Sequence, residues 1–451
     1  MNSLRKLQIK FLLFILLFIF IILGPFYFFR NRPLEVDFNE SQEETYWRGI
    51  ISLWDYPRLD RLTGTQYRWI REKINSFERK YPGVYIDLTP IDWEKGPVQL
   101  ETALKLGNPP DILPVGSDYT IIASGKLEAL DQYMTVDEIR SFRQEAIRAV
   151  TYNGKILAMP WMMNTYGLLL NLDIFQQRGV EPPKEGIWTY EEFVEKLQLL
   201  TFDSKGGDQI DYYGFNSFVS PGYYNLWGIF LSDGATVINE ELAYVFNGDL
   251  AISGLNKVMD LKYQYHVTHP AFGENTSNQV WESFYKDQRV AVIPSGTWAL
   301  NVLENLRNSG NGFSYGVALF PTGALGKPVS MSNTFGSYGI SHQEEEEKLK
   351  MCVAFLKHLV EDDHQQQLYR LGVFPVKSSV GNIYMGDPMM SMLYTSLENT
   401  IIIPPHPYWK DIDAALQKEI HQGLLGKKNV PQLLKDAEDN IKALINLKMR
   451  N

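Results

Sequence analysis

The 451-residue chain has a single cysteine, Cys352. That excludes an internal disulfide and any zinc cluster built on several thiolates. For an exported chain, the absence of disulfides points to a bacterial surface, where folding does not rely on oxidation. Positive charge is short as well. Lys and Arg number 43 against 53 Asp and Glu, a formal net charge of -10. Five of those bases (Arg5, Lys6, Lys10, Arg30 and Arg32) lie in the first 32 residues, which hold no acid, so the remainder carries -15. A body that acidic is repelled by DNA and RNA, and no nucleic-acid partner is expected. Nucleotide and hydrolase motifs are missing too. Gly323 to Pro328 is the nearest stretch to a phosphate-binding loop, but its spacing is wrong and it ends in proline, so the chain is not an ATP-hydrolysing subunit. There is no His-Glu-x-x-His and no Gly-x-Ser-x-Gly. The seven histidines are scattered, and His266 with His269 makes a poor metal site. Cys352 falls on an apolar helix face and reads as core. The acids Glu344 to Glu347 read as a helix start favoured by its dipole rather than as a cation site. No repeat or low-complexity tract is visible. The expectation is no catalytic residue, no metal and no cofactor.

What the chain does have is apolar and aromatic bulk. It is 45% hydrophobic and 21% charged, enough to build sizeable cores, with 10 Trp and 25 Tyr. Its length suits about three compact units. Residues 11–29 hold no charge; as a helix they would span about 28 Å, close to the hydrocarbon thickness of a bilayer. Basic residues precede the run, as in an export signal. Bulky Phe26, Tyr27, Phe28 and Phe29 follow Gly24 and Pro25 where a signal peptidase would need small side chains, and no cysteine offers a lipid anchor. Residues 1–32 are therefore expected to be an uncleaved signal anchor with one transmembrane helix, and 33–45 a tether. That places the body on the extracellular face of the cell membrane.

Beyond the tether, Gly49 to Trp54 reads as a strand. A helix with Ile70, Ile74 and Phe77 on one face ends at Tyr81-Pro82-Gly83. Val84 to Leu88 is a second strand, residues 98–106 a second helix, and Asp111 to Val115 a third strand. This β-α-β-α-β order predicts an α/β fold with a parallel sheet, whose ligand site lies at the carboxyl ends of the strands. Asp55 and the Gly116-Ser117-Asp118 segment sit at those ends. Strands are expected at 156–160, 167–170 and 289–293, and helices at 189–200, 222–232, 249–265, 276–286, 298–306, 410–424 and 431–447. Ser341 with Glu344 reads as a capping box for a helix carrying Leu349, Cys352, Val353, Leu356 and Leu359 on one face.

Trp54, Trp161, Tyr224, Trp227, Trp298 and Trp409 fall at predicted strand ends, crossovers or helix starts. Flat rings can cover the C–H faces of a sugar while carboxylates and amides bond its hydroxyls. Paired carboxylates for glycoside cleavage are also conceivable, since acids are plentiful, though no one pair stands out.

Several segments, in order, resemble the bacterial extracellular solute-binding proteins of family 1, the sugar-type receptors of ABC importers that include the maltose-binding proteins. They are Ala103 to Ile112, Ser124 to Leu130, Tyr152 to Pro160, Leu169 to Phe175, Pro182 to Phe193 with Trp188 and Thr189 in swapped order, Phe284 to Trp298 with Asp287-Gln288 for the usual glycine, Gly372 to Pro375, and Gly426 to Leu434. The matches cover about residues 48–445. The resemblance implies a two-lobe periplasmic-binding-protein-like fold with three crossovers, closing on its ligand. The N-terminal lobe would be 46–162 plus 338–388 and the C-terminal lobe 165–335 plus 389–451. It implies a monomeric, non-enzymatic receptor that passes a carbohydrate, an oligosaccharide, to the permease subunits of an ABC transporter. It also suggests ligand contacts at Asp118, Asn164, Tyr224 and Trp298, with Tyr408 or Trp409 as a further aromatic. The strand-end reading adds Trp54, Asp55 and Trp161. Two alternatives stay open, a surface glycosidase or lyase and a receptor that signals to a sensor kinase.

Overall fold

The computed structural model describes residues 46–450 apart from Ser117, Asp208, Thr334 and Pro405. The anchor and tether expected at 1–45 lie outside the described residues. Among the described residues, no helix is long and apolar enough to cross a membrane.

The chain opens with β1 (Gly49–Asp55), β2 (Val84–Pro90), β3 (Ile112–Pro114) and β4 (Met159–Met163). It then forms β5 (Tyr166–Asn171), β6 (Tyr213–Phe215), β7 (Val290–Gly296) and β8 (Tyr315–Ala318), followed by β9 (Ser330–Ser332), β10 (Phe335–Ile340) and β11 (Thr400–Ile402). One sheet has the order β2-β1-β3-β10-β4, and the other β6-β7-β5-β8. β1 is parallel to β2 and β3, in line with the β-α-β-α-β expectation. The helix Arg68–Lys80 buries Trp69, Ile70, Lys73, Ile74 and Phe77 on one face. It lies between β1 and β2, so the crossover covers one face of the sheet. In β7 every residue is buried; it runs between β6 and β5 with both faces covered, which explains its unbroken Val-Ala-Val-Ile run.

Topology fixes where the strand ends point. β10 is antiparallel to β3 and β4, while β7 is antiparallel to β5. The carboxyl ends of β1 to β4 therefore lie on one edge, beside the start of β10. The carboxyl ends of β6, β7 and β8 lie on one edge beside the start of β5. Only Asn164 and Thr165 separate β4 from β5, so the two edges face each other. The chain returns to the first sheet between β9 and β10. It crosses again near β11, which pairs in parallel with β9. Three buried or half-buried hydroxyls tie these crossings together: Thr165 Oγ1 bonds Ser330 Oγ at 2.9 Å and Thr400 Oγ1 at 2.7 Å, and those two bond at 3.1 Å. The second sheet's core then gathers residues from Leu168 to Met331 and from Ile403 to Ile441.

Most elements fall within a few residues of their expected limits; three details differ. The expected helix at 222–232 shrinks to Trp227–Phe230, because Gly222 and the residues after it form a loop held by other parts of the chain. Ser341 does not cap a helix. Its Oγ donates to Pro110 O at 2.8 Å, and the helix Glu346–Leu359 starts later, without a side-chain cap. Capping boxes occur instead at Thr135, Thr189 and Thr276. The apolar face of 346–359 is as expected: Leu349, Cys352, Val353, Leu356 and Leu359 are all buried.

Candidate functional site

The facing strand edges gather most of the expected residues, but in two classes. Trp298, Asp118, Asn164 and Trp54 keep open surface. Asp55, Trp161, Tyr224 and Trp409 do not.

Trp298 follows the end of β7 and starts the helix Ala299–Asn308. The preceding Thr297 donates its N–H to Thr165 O at 3.1 Å, which sets Trp298 beside the first crossing. Its ring is 51% exposed, and Trp281 lies at 6.1 Å between ring centroids. Asn164 sits in the crossing itself, half-buried, with its Oδ1 accepting from Ser332 Oγ at 2.8 Å. Asp118 accepts from Thr120 N at 2.9 Å. Burial raises the hydroxyl pKa of both Tyr56, past β1, and Tyr224, past β6, and the Asp118 carboxylate adds to both shifts. Asp118 thus lies within electrostatic reach of groups from both sheets. Trp54 is half-buried on the face of β1 opposite Leu53 and Asp55.

The other four are structural, for reasons of packing. Trp161 is 2% exposed. One face stacks on Trp69 at 5.1 Å and the other on Tyr338 at 5.7 Å, while the Arg58 guanidinium lies 4.9 Å from its centroid. No face is left for a ligand. Tyr224 and Trp409 are 2% and 5% exposed and hold each other through a 2.9 Å bond from Trp409 Nε1 to Tyr224 Oη. Asp55 is 2% exposed and pairs with Arg58 at 2.8 Å. Burial works against the Arg58 charge, but Asp55 and the Tyr338 hydroxyl outweigh it and raise the guanidinium pKa. The cavity beside this pair, between Tyr67, Trp69 and Trp161, has about 10 Å³, at most one water's space. A larger cavity of about 280 Å³, lined by Met134, Phe142, Met159, Glu361 and Lys377 among others, lies toward the opposite end of β4.

Sequence reasoning missed two exposed rings at these edges. Trp93, just past β2, is 54% exposed, stacks on Tyr56 at 4.1 Å and donates its Nε1–H to Pro57 O. Tyr223, in the loop before Tyr224, is 41% exposed. The strand-end rule that selects Trp54 also finds Trp93 when it is applied to the second strand. Tyr223 had no such signal, since its loop reads as helix.

That loop is held by a buried acid. Asp413, in the helix Trp409–Leu424, is 2% exposed. It accepts from Gly222 N at 2.6 Å and Gln417 Nε2 at 2.7 Å. Burial pushes its carboxyl pKa up to about 6 against those two lowering bonds. The unfolded carboxyl ionises near pH 4. Its contribution to stability is therefore greatest below pH 4 and is lost as pH rises to 6. The unfolding free energy of the protein minus that of Asp413→Asn should fall by about 3 kcal/mol across that window. Urea unfolding at pH 4, 5, 6 and 7 measures it, and a flat difference would refute the buried-acid assignment.

The two sheets' surroundings also touch at the rims. Lys410 Nζ reaches Glu101 Oε2 at 2.9 Å. Asn301 Nδ2 donates to Arg370 O at 2.9 Å. Bonds from Lys105 and Lys410 hold the Glu101 carboxyl down at about 2.

The family model described as bacterial extracellular solute-binding protein matches residues 72–390. A binding protein of Brucella abortus (strain 2308) is 21% identical over 403 residues, which span 85% of this chain and 93% of that protein. The maltotriose-binding protein of Pyrococcus abyssi is 23% identical over 290 residues, 62% of this chain and 55% of that one. Among solved structures, an ABC substrate-binding protein of Listeria monocytogenes in complex with cycloalternan superposes with a TM-score of 0.74 at 17% identity. The superposition covers 89% of this chain and all of that one. The likeness is one of fold, two α/β lobes built around facing strand edges.

Proposed function

Since the chain belongs to the bacterial extracellular solute-binding proteins, we propose that it is a non-enzymatic receptor. It binds a carbohydrate between its lobes and delivers it to an ABC permease. The observation that carries this reading is the pairing, across facing strand edges, of an open ring (Trp298) with open polar groups (Asp118 and Asn164). Trp298 covers a sugar face, and Asp118 and Asn164 take its hydroxyls. Trp54, Trp93 and Tyr223 extend the aromatic lining. Asp55, Trp161, Tyr224 and Trp409 hold that lining in place from behind. The lobes are residues 46–162 plus 338–388 and 165–335 plus 389–451. The two relatives that bind maltotriose and cycloalternan support an α-linked oligosaccharide as the guest. The charge-free run at 11–29 anchors the receptor on the outer face of the membrane.

Tryptophan fluorescence titrated with a panel of malto-oligosaccharides tests the reading. Trp298→Ala should weaken the response by about 2 kcal/mol, roughly thirtyfold in Kd. Its stability should shift by less than about 0.5 kcal/mol, since the ring is half exposed. No saturable response to any sugar in the panel would reject the carbohydrate reading. Turnover of a bound sugar would reject the non-enzymatic one.

A further inference from the structure

At the outer end of the helix Glu346–Leu359, three metal-ligating side chains converge away from the facing strand edges. His358, Glu361 and His364 form a His-x-x-Glu-x-x-His sequence across the junction with the helix Asp362–Gln366. Each offers one ligand atom within 4.8 Å of the other two. The imidazole rings meet edge-on, with centroids 4.4 Å apart and planes at 87°.

Hydrogen bonds orient both rings. Ser76 Oγ donates its only proton to Lys73 O at 2.9 Å. His358 Nε2 lies 2.7 Å from the same oxygen, and with the Ser76 proton on Lys73 O it is Nε2 that donates. His358 Nδ1 is then a bare lone pair. It is buried, in a residue only 6% exposed, and makes no hydrogen bond. What faces it, at 3.2 Å, is the Glu361 carboxylate, another acceptor. His364 Nδ1 sits 2.6 Å from His358 O and must donate to it, which leaves its Nε2 lone pair free. A backbone carbonyl and a hydroxyl thus orient the two rings, the usual outer shell of a ligating histidine pair. The three ligand atoms lie within 4.8 Å of one another, a spacing that one cation seated among them would bridge.

We propose that His358 Nδ1, the Glu361 carboxylate and His364 Nε2 bind one divalent cation of the zinc type, with water completing a tetrahedral set. Two neutral imidazoles and one carboxylate suit zinc better than calcium or magnesium, which take oxygen ligands. Glu361 is 45% exposed, which gives the ion a way in. Lys80 lies 3.5 Å from Glu361 Oε1 and Lys73 bonds Gln367 nearby. Lys80 is exposed, so solvent can take over its charge once the carboxylate ligates the ion. The site would clamp the 346–359 helix to the next one. It leaves the facing strand edges untouched.

The test uses the purified full-length chain, stripped with chelator and titrated with Zn²⁺ and, for its visible spectrum, with Co²⁺. One equivalent of Zn²⁺ should bind, and Co²⁺ should give the intense absorption of a tetrahedral nitrogen–oxygen site. Glu361→Gln, at an exposed position, and His364→Gln, at a partly buried one, should each weaken Zn²⁺ binding at least tenfold. His358→Gln should do so too, but it is buried and can disturb folding, so the other two decide. Malto-oligosaccharide titration should be the same with and without Zn²⁺, which separates this site from the sugar reading. Absence of stoichiometric binding, an octahedral Co²⁺ spectrum, or equal affinity in Glu361→Gln and His364→Gln would overturn the assignment.

Discussion

Arg370→Met is expected to remove about 3–5 kcal/mol of folding free energy, the cost of leaving a buried charge without its partner. Arg370 pairs with Asp60, which is fully buried, and its Nη1 reaches Glu72 at 2.6 Å. Burial opposes the Arg370 charge, but Glu72 and Asp60 outweigh it and raise the guanidinium pKa. Asp60 spends its other oxygen on Leu62 N. Without the guanidinium, that carboxylate has no countercharge and no route to water. The position matters beyond stability. Arg370 O accepts from Arg61 N and from Asn301 Nδ2, both at 2.9 Å. Asn301 belongs to the helix that Trp298 starts, so the variant should also loosen that ring's position. Urea unfolding of the single variant and of Asp60→Asn/Arg370→Met decides the mechanism. The double variant should recover part of the loss, because the stranded charge is gone. A single-variant loss below about 1 kcal/mol would show that the pair is not carrying the load assigned to it.

Trp161→Ala should cost a similar amount, about 3–5 kcal/mol, as for other large-to-small changes in a filled core. The ring stacks with both Trp69 and Tyr338, and the Arg58 guanidinium lies over it. Its main-chain oxygen accepts from Gln365 Nε2 at 2.7 Å. Removing the ring leaves two aromatic faces without partners and frees Arg58 to move, and with it Asp55. Trp161→Phe keeps a ring in the stack and should cost much less. Thermal unfolding of both variants gives the comparison. If the two lose the same amount, the stack is not what holds this region.

Much of the fold was legible because its periodicities are local. The helix face of Ile70, Ile74 and Phe77 and the apolar run of β7 each declare their setting within a few residues. The site was less legible, because burial is a property of the whole molecule. Trp161 and Trp298 look alike in sequence, both aromatic near predicted strand or helix ends. Only packing shows that one is sealed between two rings and the other open. Asp55 obeys the strand-end rule and still turns inward, since Arg58, three residues on, captures it. The His358, Glu361 and His364 cluster went unseen because the spacing crosses a helix junction, where no single helical face predicts convergence.

The hydroxyl triangle of Thr165, Ser330 and Thr400 has a mechanical consequence. Each oxygen can give a proton or take one, and Thr400 Oγ1 has Ser396 O as a further acceptor at 3.3 Å, so the three contacts can trade donor and acceptor roles. A joint made of charges or of interlocked methyl groups has one best angle. A joint of three hydroxyls has no such single setting built into its bonding, and its geometry is left to the packing on either side.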